Sequence, residues 1–248
     1  MESLLLIPAR SGSSRVINKN IKLMGKKPLV GYVVSSAVKS NSGRVVVSTN
    51  SKTIAEISNK FGAETPFLRP DEFSGNVAPS LWVILHALSW FKKNENWIPD
   101  IVAYCPPTNP FTRYETISSM YSLFKKESEW NSIVTITKPK THPFRIVQRG
   151  EDGKLEIGVV SIKGKRINDI ERSQDYPIVW EGSPACRMTR TCYFWDLLSL
   201  HGKITDITGK TYDINNSIGY EIGIFESYDM DDEVDWKIAE SFLDCDLV

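Results

Sequence analysis

Short apolar runs alternate with segments of helical periodicity along the first half of the chain. Runs of aliphatic residues predict buried strands at Leu4–Ile7, Val45–Val47, Ile101–Tyr104 and Ile133–Ile136. The segments between them predict helices over Pro28–Lys39, about Ser51–Phe61, Ala78–Phe91 and Tyr114–Lys126. This alternation predicts an α/β fold, in which a mostly parallel sheet carries helices on both faces.

The pattern changes between about residues 139 and 184. Glycine-containing charged turns separate short alternating segments such as Ile157–Ile162, which predicts an antiparallel excursion from a single domain of residues 1–248 and no second core. After the excursion, Tyr193–Trp195 and Tyr220–Phe225 are predicted strands. A closing helix is expected over Asp232–Leu243, with Val234, Ile238 and Phe242 on one face.

The charge balance and the cysteine content bear on which partners the protein binds and on its redox compartment. The chain has 248 residues, and 30 Lys plus Arg balance 30 Asp plus Glu, so no global field favours nucleic acid or a membrane surface. Any anion site must therefore be built locally. The first residues lack the charge and length of a signal sequence, and the four cysteines show no metal-ligand spacing, which predicts a reduced cytoplasmic protein.

A loop rich in small residues follows the first predicted strand. The small residues Ala9, Ser11, Gly12 and Ser13 allow backbone N–H groups to approach phosphate oxygens, and charge is supplied by Arg10, Arg15 and Lys19. Ligands bind at the carboxyl ends of strands in such sheets. The loop matches neither the Walker nor the GxGxxG pattern, and a solvated Ser/Gly loop with ordinary surface cations is the alternative.

An acidic cluster lies near the end of the chain. Alternate residues of an extended segment point the same way, so Asp229 and Asp231 can converge on one hard cation such as Mg²⁺. Asp232 fits the N-cap of the last helix, while Glu233 and Asp235 fit its first turn. The alternative is that the whole cluster is only a helix start.

A proline-rich loop, Pro106–Arg113, follows the strand that ends at Tyr104. Its prolines predict a rigid backbone, and Thr108 and Asn109 offer hydrogen bonds to a polar ligand. A structural turn is an equally good interpretation. His86 has no partner at a suggestive spacing, so it is predicted to pack on its helix.

Taken together, these stretches resemble the acylneuraminate cytidylyltransferase family. Five motifs occur in the family's order over nearly the whole chain: IPARSGS with KNIK, VVVSTNS, FLRPDEFS, PPTNPFTR and DMDDEVDWKIAE. The resemblance implies a Rossmann-like sheet, Mg²⁺-dependent use of CTP, and a homodimer in which the excursion forms much of the interface.

The resemblance also implies roles for residues at the motif positions. Arg10 and Lys19 would hold the triphosphate, and Asn20, Arg69 and Ser80 would surround the cytosine and ribose. Mg²⁺ would be held by Asp229 and Asp231. The anomeric hydroxyl of an acidic, 2-keto-3-deoxy sugar would attack the α-phosphorus of CTP and displace pyrophosphate. We therefore take Arg10, Lys19 and Asp231 as candidate catalytic residues.

Departures from the family's motifs lie mainly on the sugar side. Ser14 stands where the family often has lysine, Pro106 where it often has glutamine, and the segment 183–187 replaces an NGAIY-like stretch. Arg187 and Arg190 are candidates to pair with a sugar carboxylate. The remaining alternatives are transfer from another NTP, a metal-dependent glycosyltransferase, and a non-catalytic nucleotide-binding homologue.

Overall fold

A computed structural model describes residues 1–13, 15–126 and 129–245. The chain divides into two compact units, one made of Met1–Ile136 with Ser183–Val248 and the other of Thr137–Gly182. Ser14, which replaces the family's lysine, lies outside the described residues.

Within the described residues, ten strands and six α-helices follow one another, with short 3₁₀ turns between some of them. The strands are β1 (Ser3–Pro8), β2 (Leu23–Met24), β3 (Lys27–Pro28), β4 (Arg44–Ser48), β5 (Ile101–Tyr104), β6 (Ser132–Thr137), β7 (Val147–Arg149), β8 (Leu155–Ile157), β9 (Glu181–Arg190) and β10 (Ser217–Glu221). The α-helices are α1 (Leu29–Lys39), α2 (Lys52–Lys60), α3 (Ser80–Glu95), α4 (Tyr114–Lys126), α5 (Thr191–His201) and α6 (Glu233–Asp244).

The main sheet has six strands in the order β10-β6-β9-β5-β1-β4. β1 runs parallel to both β4 and β5, and β10 runs parallel to β6. β9 runs antiparallel to β5. The predicted mostly parallel α/β sheet is confirmed, with one antiparallel strand inserted near its middle.

Alternation along β1 explains why both faces of the sheet are covered. Leu5 and Ile7 belong to a buried cluster that includes residues of α1 and α4. Leu4 and Leu6 point to the other face and join a cluster that includes residues of α3 and α5. All four side chains are fully buried, and each such burial stabilises the fold by about 2 kcal/mol.

The predictions for the last third of the chain need correction. Tyr193–Trp195 does not form a strand but lies inside α5, where Phe194 is fully buried against the α3 side of the sheet. A run of three apolar residues cannot by itself distinguish a strand from a buried helix turn. The predicted strand Tyr220–Phe225 is also displaced, because β10 ends at Glu221.

The closing helix α6 is confirmed, but its predicted inner face is not. Val234 and Ile238 are 65% and 39% exposed, whereas Trp236 and Ala239 are buried. Phe242, the third residue of the predicted face, does pack against the same buried cluster. Helix α6 therefore presents a face rotated from the predicted one. Asp232 is its N-cap, as predicted.

The unit Thr137–Gly182 contains an antiparallel hairpin, in which β7 pairs with β8. The predicted segment Ile157–Ile162 is strand only at its first residue. Phe144 is buried within this unit, with its ring against those of His142 and Tyr176. The predicted antiparallel excursion is thus present, and most of its aliphatic side chains lie on the surface.

Candidate active site

A cleft of about 560 Å³ opens at the carboxyl ends of β1 and β5, where Pro8 and Tyr104 form part of its wall. This is the edge at which open α/β sheets bind their ligands. Nine of the predicted site residues line the cleft: Arg10, Ser13, Arg15, Lys19, Asn20, Arg69, Ser80, Thr108 and Asp231. The first loop, the proline-rich loop and the acidic segment therefore meet at one cavity, together with Arg69 and Ser80.

The loop after β1 is held open by side chains from neighbouring segments. The amide of Asn20 donates to the carbonyl oxygen of Arg10 at 2.8 Å, and the Ser11 N–H donates to Asn50 Oδ1 at 2.9 Å. Gly12 has a φ of 75°, a conformation that glycine adopts without strain. The Arg10 guanidinium reaches Asn76 Oδ1 at 2.6 Å. The loop is therefore preorganised, with the charge of Arg10 at the cleft.

Arg69 forms a buried cationic part of the cleft wall. The side chain is 3% exposed, and its Nε donates to Ser74 Oγ at 3.1 Å. Burial, reinforced by the positive charge of Arg10, lowers the pKa of Arg69 to about 10. Neither Arg10 nor Arg69 pairs with a carboxylate in the part of the chain that the structure describes. An anionic ligand would compensate both charges.

Tyr104 is a cleft residue that the motifs did not indicate. Burial raises the pKa of its phenol, while a hydrogen bond with Ser80 and the positive charges of Arg69 and Arg187 act in the opposite direction. Phe73, Asn76 and Val83 also line the cleft without having been predicted. In the sequence, Tyr104 stands out only as the last residue of a predicted strand. No motif or spacing in the sequence points to Asn76 as a cleft residue.

Lys19 connects the first loop to the acidic segment. Its ammonium donates to the backbone carbonyl of Met230 and lies 3.4 Å from that of Asp231. Burial lowers the pKa of Lys19, although Asp231 and Asp229 raise it. The positive charge therefore lies at the base of the acidic segment as well as at the cleft wall.

Asp229 and Asp231 are both exposed to solvent. Asp231 forms an ion pair with Arg15, with Oδ2 and Nη1 3.1 Å apart. The pKa of Asp229 is raised, chiefly because protein atoms around this concave surface displace water and also because Asp231 is negative, while a hydrogen bond with Thr108 opposes the shift. The two carboxylates thus influence each other, and Asp231 lines the cleft whereas Asp229 does not.

This pair has the donor chemistry of a hard-cation site. A cation would relieve the charge repulsion that raises the Asp229 pKa, and carboxylate oxygens are the protein ligands Mg²⁺ prefers. Across residues 1–13, 15–126 and 129–245, no group of three or more His, Cys, Asp or Glu side chains is arranged to hold a metal. Mg²⁺ at this pair would need substrate phosphates and water as further ligands, which is its usual behaviour.

The acidic residues that follow serve the start of α6. Asp232 Oδ1 accepts from the N–H groups of Val234 and Asp235 at 2.8 and 3.0 Å. The Asp235 carboxylate accepts from the N–H groups of Asp231 and Asp232. Burial alone would raise the pKa of Asp235, but these bonds and one from Tyr228 outweigh it and lower the pKa.

Other predicted site residues do not line the cleft. Ala9 and Asn109 are fully buried in its frame, while Ser11 and Gly12 are exposed on the first loop. Asn109 donates to the carbonyl oxygens of Ser227 and Tyr228 at 3.4 and 3.0 Å. The structure therefore gives Asn109 a bracing position, which no sequence spacing indicated.

Arg187 lies on β9 opposite Tyr104, one strand away from the cleft wall. Its Nη1 donates to Thr211 Oγ1 at 3.2 Å, and its Nε is buried without a partner. Arg190, the other candidate for a sugar carboxylate, donates from Nε to the carbonyl oxygen of Trp130 at 3.0 Å. Neither arginine is among the residues that line the cleft.

Comparison with protein families gives a match over more than half of the chain. The family model described as Cytidylyltransferase matches residues 4–148, which include the first loop, Arg69, Ser80 and the proline-rich loop. No helix within the described ranges is long and apolar enough to cross a membrane.

Two curated proteins illustrate the range of sequence similarity. A CMP-N,N'-diacetyllegionaminic acid synthase of Legionella pneumophila is 27% identical over 98% of this chain and 97% of its own length. An N-acylneuraminate cytidylyltransferase of Escherichia coli is 32% identical over 59% of this chain and 34% of its own length.

A solved structure shows the same fold at low sequence identity. It is CMP:2-keto-3-deoxy-manno-octonic acid synthetase complexed with CTP, which is 11% identical with a TM-score of 0.69. The match covers 99% of this chain and all of that one.

Proposed function

The chain belongs to the cytidylyltransferase family, and we propose that it transfers CMP from CTP to the anomeric hydroxyl of a 2-keto-3-deoxy sugar acid of the sialic acid type. Pyrophosphate is the second product. The observation that carries this proposal is the meeting of Arg10, Lys19 and Arg69 with Asp231 at one cleft of about 560 Å³. Cations without carboxylate partners suit a polyphosphate, and the acidic edge suits its metal ion.

The reaction is a displacement at the α-phosphorus. The anomeric oxygen forms a bond to phosphorus, the bond to the bridging oxygen of pyrophosphate breaks, and the hydroxyl proton is released to water. Catalysis of this kind depends mainly on positioning and charge neutralisation. Arg10 and Lys19 hold and neutralise the triphosphate, and Asn20, Arg69 and Ser80 orient the nucleoside.

Asp229 and Asp231 would hold Mg²⁺, with Thr108 beside Asp229. When bound, the metal neutralises phosphate charge and lowers the pKa of a hydroxyl near it. The two carboxylates would fix the position of the positive charge of Mg²⁺ beside the cleft.

The nature of the acceptor rests on similarity and on the cations beside the cleft. The relative from L. pneumophila, similar over nearly its whole length, carries the name CMP-N,N'-diacetyllegionaminic acid synthase. Arg187 has a buried Nε without a partner, which favours an anionic group near β9. Transfer from another NTP is the second candidate, because Asn20, Arg69 and Ser80, the residues assigned to the nucleoside, carry polar groups that can pair with more than one base.

We further propose a homodimer formed by the unit Thr137–Gly182 in a reduced, cytoplasmic setting. Supporting observations are the exposed aliphatic side chains on and around its hairpin: Ile146, Val147, Leu155, Ile157 and Val159. The thiols of Cys105 and Cys186 are buried and hydrogen-bonded at 3.6 Å with no disulfide between them, which is consistent with a reducing compartment.

Pyrophosphate release tests the proposal. Each of the four NTPs is incubated with Mg²⁺ and a panel of 2-keto-3-deoxy sugar acids, and each acid is matched with its carboxamide. We expect release with CTP and at least one acid, little with the carboxamide, and none with EDTA present. Equal turnover with all four NTPs, or a preference for GTP, would exclude the cytidylyl assignment.

A further inference from the structure

The Asp235 side chain accepts hydrogen bonds from residues before and after Asp229. Its Oδ2 accepts from the N–H of Asp231 at 2.8 Å and from that of Asp232 at 3.1 Å. Its Oδ1 accepts from the Tyr228 hydroxyl at 3.1 Å. One carboxylate thus contacts Tyr228, which precedes Asp229, and also Asp231 and Asp232, which follow it.

Capping of α6 explains only one of these three bonds. The capping box requires the bond between Asp235 and the Asp232 N–H, together with the reciprocal bond from Asp232. The Asp231 N–H and the Tyr228 hydroxyl lie outside the helix, so their bonds to Asp235 do not serve its first turn. They fix the path of the segment that precedes it.

The same segment is held from its other side. The Met230 N–H donates to the carbonyl oxygen of Thr108 at 2.8 Å, and the Lys19 ammonium binds the Met230 carbonyl oxygen. The Asn109 amide donates to the Tyr228 carbonyl oxygen at 3.0 Å. Met230 itself is fully buried. Asp235 is the member of this frame that belongs to α6, whose Trp236 and Ala239 are buried and make it a firm support.

We propose that Asp235, with Tyr228, is a positioning residue for the metal site: it holds the backbone of residues 228–232 so that Asp229 and Asp231 present their carboxylates to one cation. This inference rests on the proposed function, in which those two residues bind Mg²⁺. Two adjacent carboxylates repel each other, and an unrestrained segment would let them separate. Groups that orient metal ligands typically contribute 10–100-fold to metal affinity.

The test compares Asp235→Ala with Asp232→Ala. The control removes the N-cap of α6, with its bonds to Val234 and Asp235, and leaves Asp235 bonded to Asp231 and Tyr228. Binding of Mn²⁺ to the CTP complex is measured from the electron paramagnetic resonance signal of free Mn²⁺. The Mg²⁺ dependence of pyrophosphate release is measured in parallel.

We expect Asp235→Ala to weaken Mn²⁺ binding by about tenfold or more and to raise the half-saturating Mg²⁺ concentration to the same extent. Asp232→Ala should change either value by less than about twofold while lowering thermal stability. Tyr228→Phe, which removes one neutral hydrogen bond, should weaken Mn²⁺ binding by about threefold and decides the question if Asp235→Ala does not fold.

The outcomes separate this inference from the proposed function. A wild-type CTP complex that binds no Mn²⁺ overturns the metal assignment and the positioning role with it. Wild-type binding that is unchanged in Asp235→Ala, or in Tyr228→Phe where that variant decides, overturns the positioning role alone. Equal weakening by Asp232→Ala would reduce Asp235 to a helix cap and also overturn it.

Discussion

Arg15 and Asp231 form an ion pair across the mouth of the cleft, with Nη1 and Oδ2 3.1 Å apart. Their side chains are 66% and 63% exposed, so the pair contributes little to stability. It joins the first loop to the acidic segment. A triphosphate would offer Arg15 a new partner and leave Asp231 available to a cation.

Asp231→Asn should nearly abolish turnover without unfolding the protein. The amide keeps the size of the side chain but loses the charge that Mg²⁺ requires, so kcat should fall by about 100-fold or more at saturating Mg²⁺. The melting temperature should change little, because the lost ion pair is exposed. Pyrophosphate release and circular dichroism provide the two measurements.

Glu233→Gln is the matched control for Asp231→Asn. Glu233 is also exposed and ion-paired, with Lys22 at 2.8 Å, but lies in the first turn of α6. It should retain turnover. A near-wild-type kcat for Asp231→Asn would remove Asp231 from the metal site.

Arg69→Met should weaken CTP binding without lowering the free energy of unfolding. Arg69 is a buried cation without a carboxylate partner in the described part of the chain, and burial lowers its pKa to about 10. A buried charge without a carboxylate partner carries a desolvation cost, which an apolar side chain of similar size removes. We expect CTP affinity to fall by about tenfold or more in calorimetry, while the free energy of unfolding in urea stays equal or rises.

Arg44→Met is the control, because this variant should lose stability without losing CTP affinity. Arg44 binds the carboxylates of Glu64 and Glu95, and it does not line the cleft. It should lose stability and keep CTP affinity. If Arg69→Met lost stability while binding CTP normally, Arg69 would be a structural residue and not a ligand of the nucleotide.

The strands and helices that the sequence predicted correctly are those whose buried positions are occupied by apolar residues in a regular pattern. The strand Ile101–Tyr104 and the helix Tyr114–Lys126 coincide with β5 and α4. Strand β9 was not predicted because the polar residues Ser183 and Thr189 stand among its buried apolar residues Ala185, Cys186 and Met188. The result is neither a strict alternation nor a continuous apolar run.

For the site, the sequence indicated which charged residues belong to it but not the hydrogen bonds that hold them. Motif positions indicated the loop residues and the acidic pair, because charge and backbone exposure are local properties. The bond from Asn109 to Tyr228 joins residues far apart in the chain, and the three bonds of Asp235 depend on the path of a turn. Those relationships follow from tertiary packing and have no counterpart in residue spacing.

His86 should make stability depend on pH. It lies against the rings of Phe67 and Phe73, and burial, with a smaller contribution from Arg69, lowers its pKa from 6.5 to about 4. Between these values the unfolded chain binds a proton that the folded protein does not. The free energy of unfolding therefore falls as pH decreases from 6.5 towards 4, and the stabilisation is fully present above that window.

His86→Leu should remove this contribution. We expect wild type to lose about 2 kcal/mol more than the variant between pH 7.5 and 4.5 in urea unfolding. His201→Leu, which removes an exposed imidazole at the end of α5, is the control. Parallel pH profiles for wild type and His86→Leu would show that His86 titrates alike in the folded and unfolded states.

Val159→Glu should weaken the proposed dimer. Val159 is 39% exposed and lies in the unit Thr137–Gly182, where Leu155 and Ile157 are 58% and 54% exposed. Exposed hairpins with aliphatic side chains pair with another chain unless they are covered, and twofold dimers are the commonest soluble oligomers. Light scattering at micromolar concentration should give wild type a mass of twice 28.1 kDa.

The variant tests where the interface lies as well as whether it exists. A carboxylate at position 159 would have to be desolvated in the dimer, so Val159→Glu should shift the mass towards 28.1 kDa without changing the far-ultraviolet circular dichroism of the α/β sheet. Ser161→Glu adds the same charge at an already exposed polar position and should dimerise more strongly than Val159→Glu. A wild-type mass near 28.1 kDa would refute the dimer. A dimer that Val159→Glu leaves intact would place the interface elsewhere, because an unpaired charge cannot be buried there without cost.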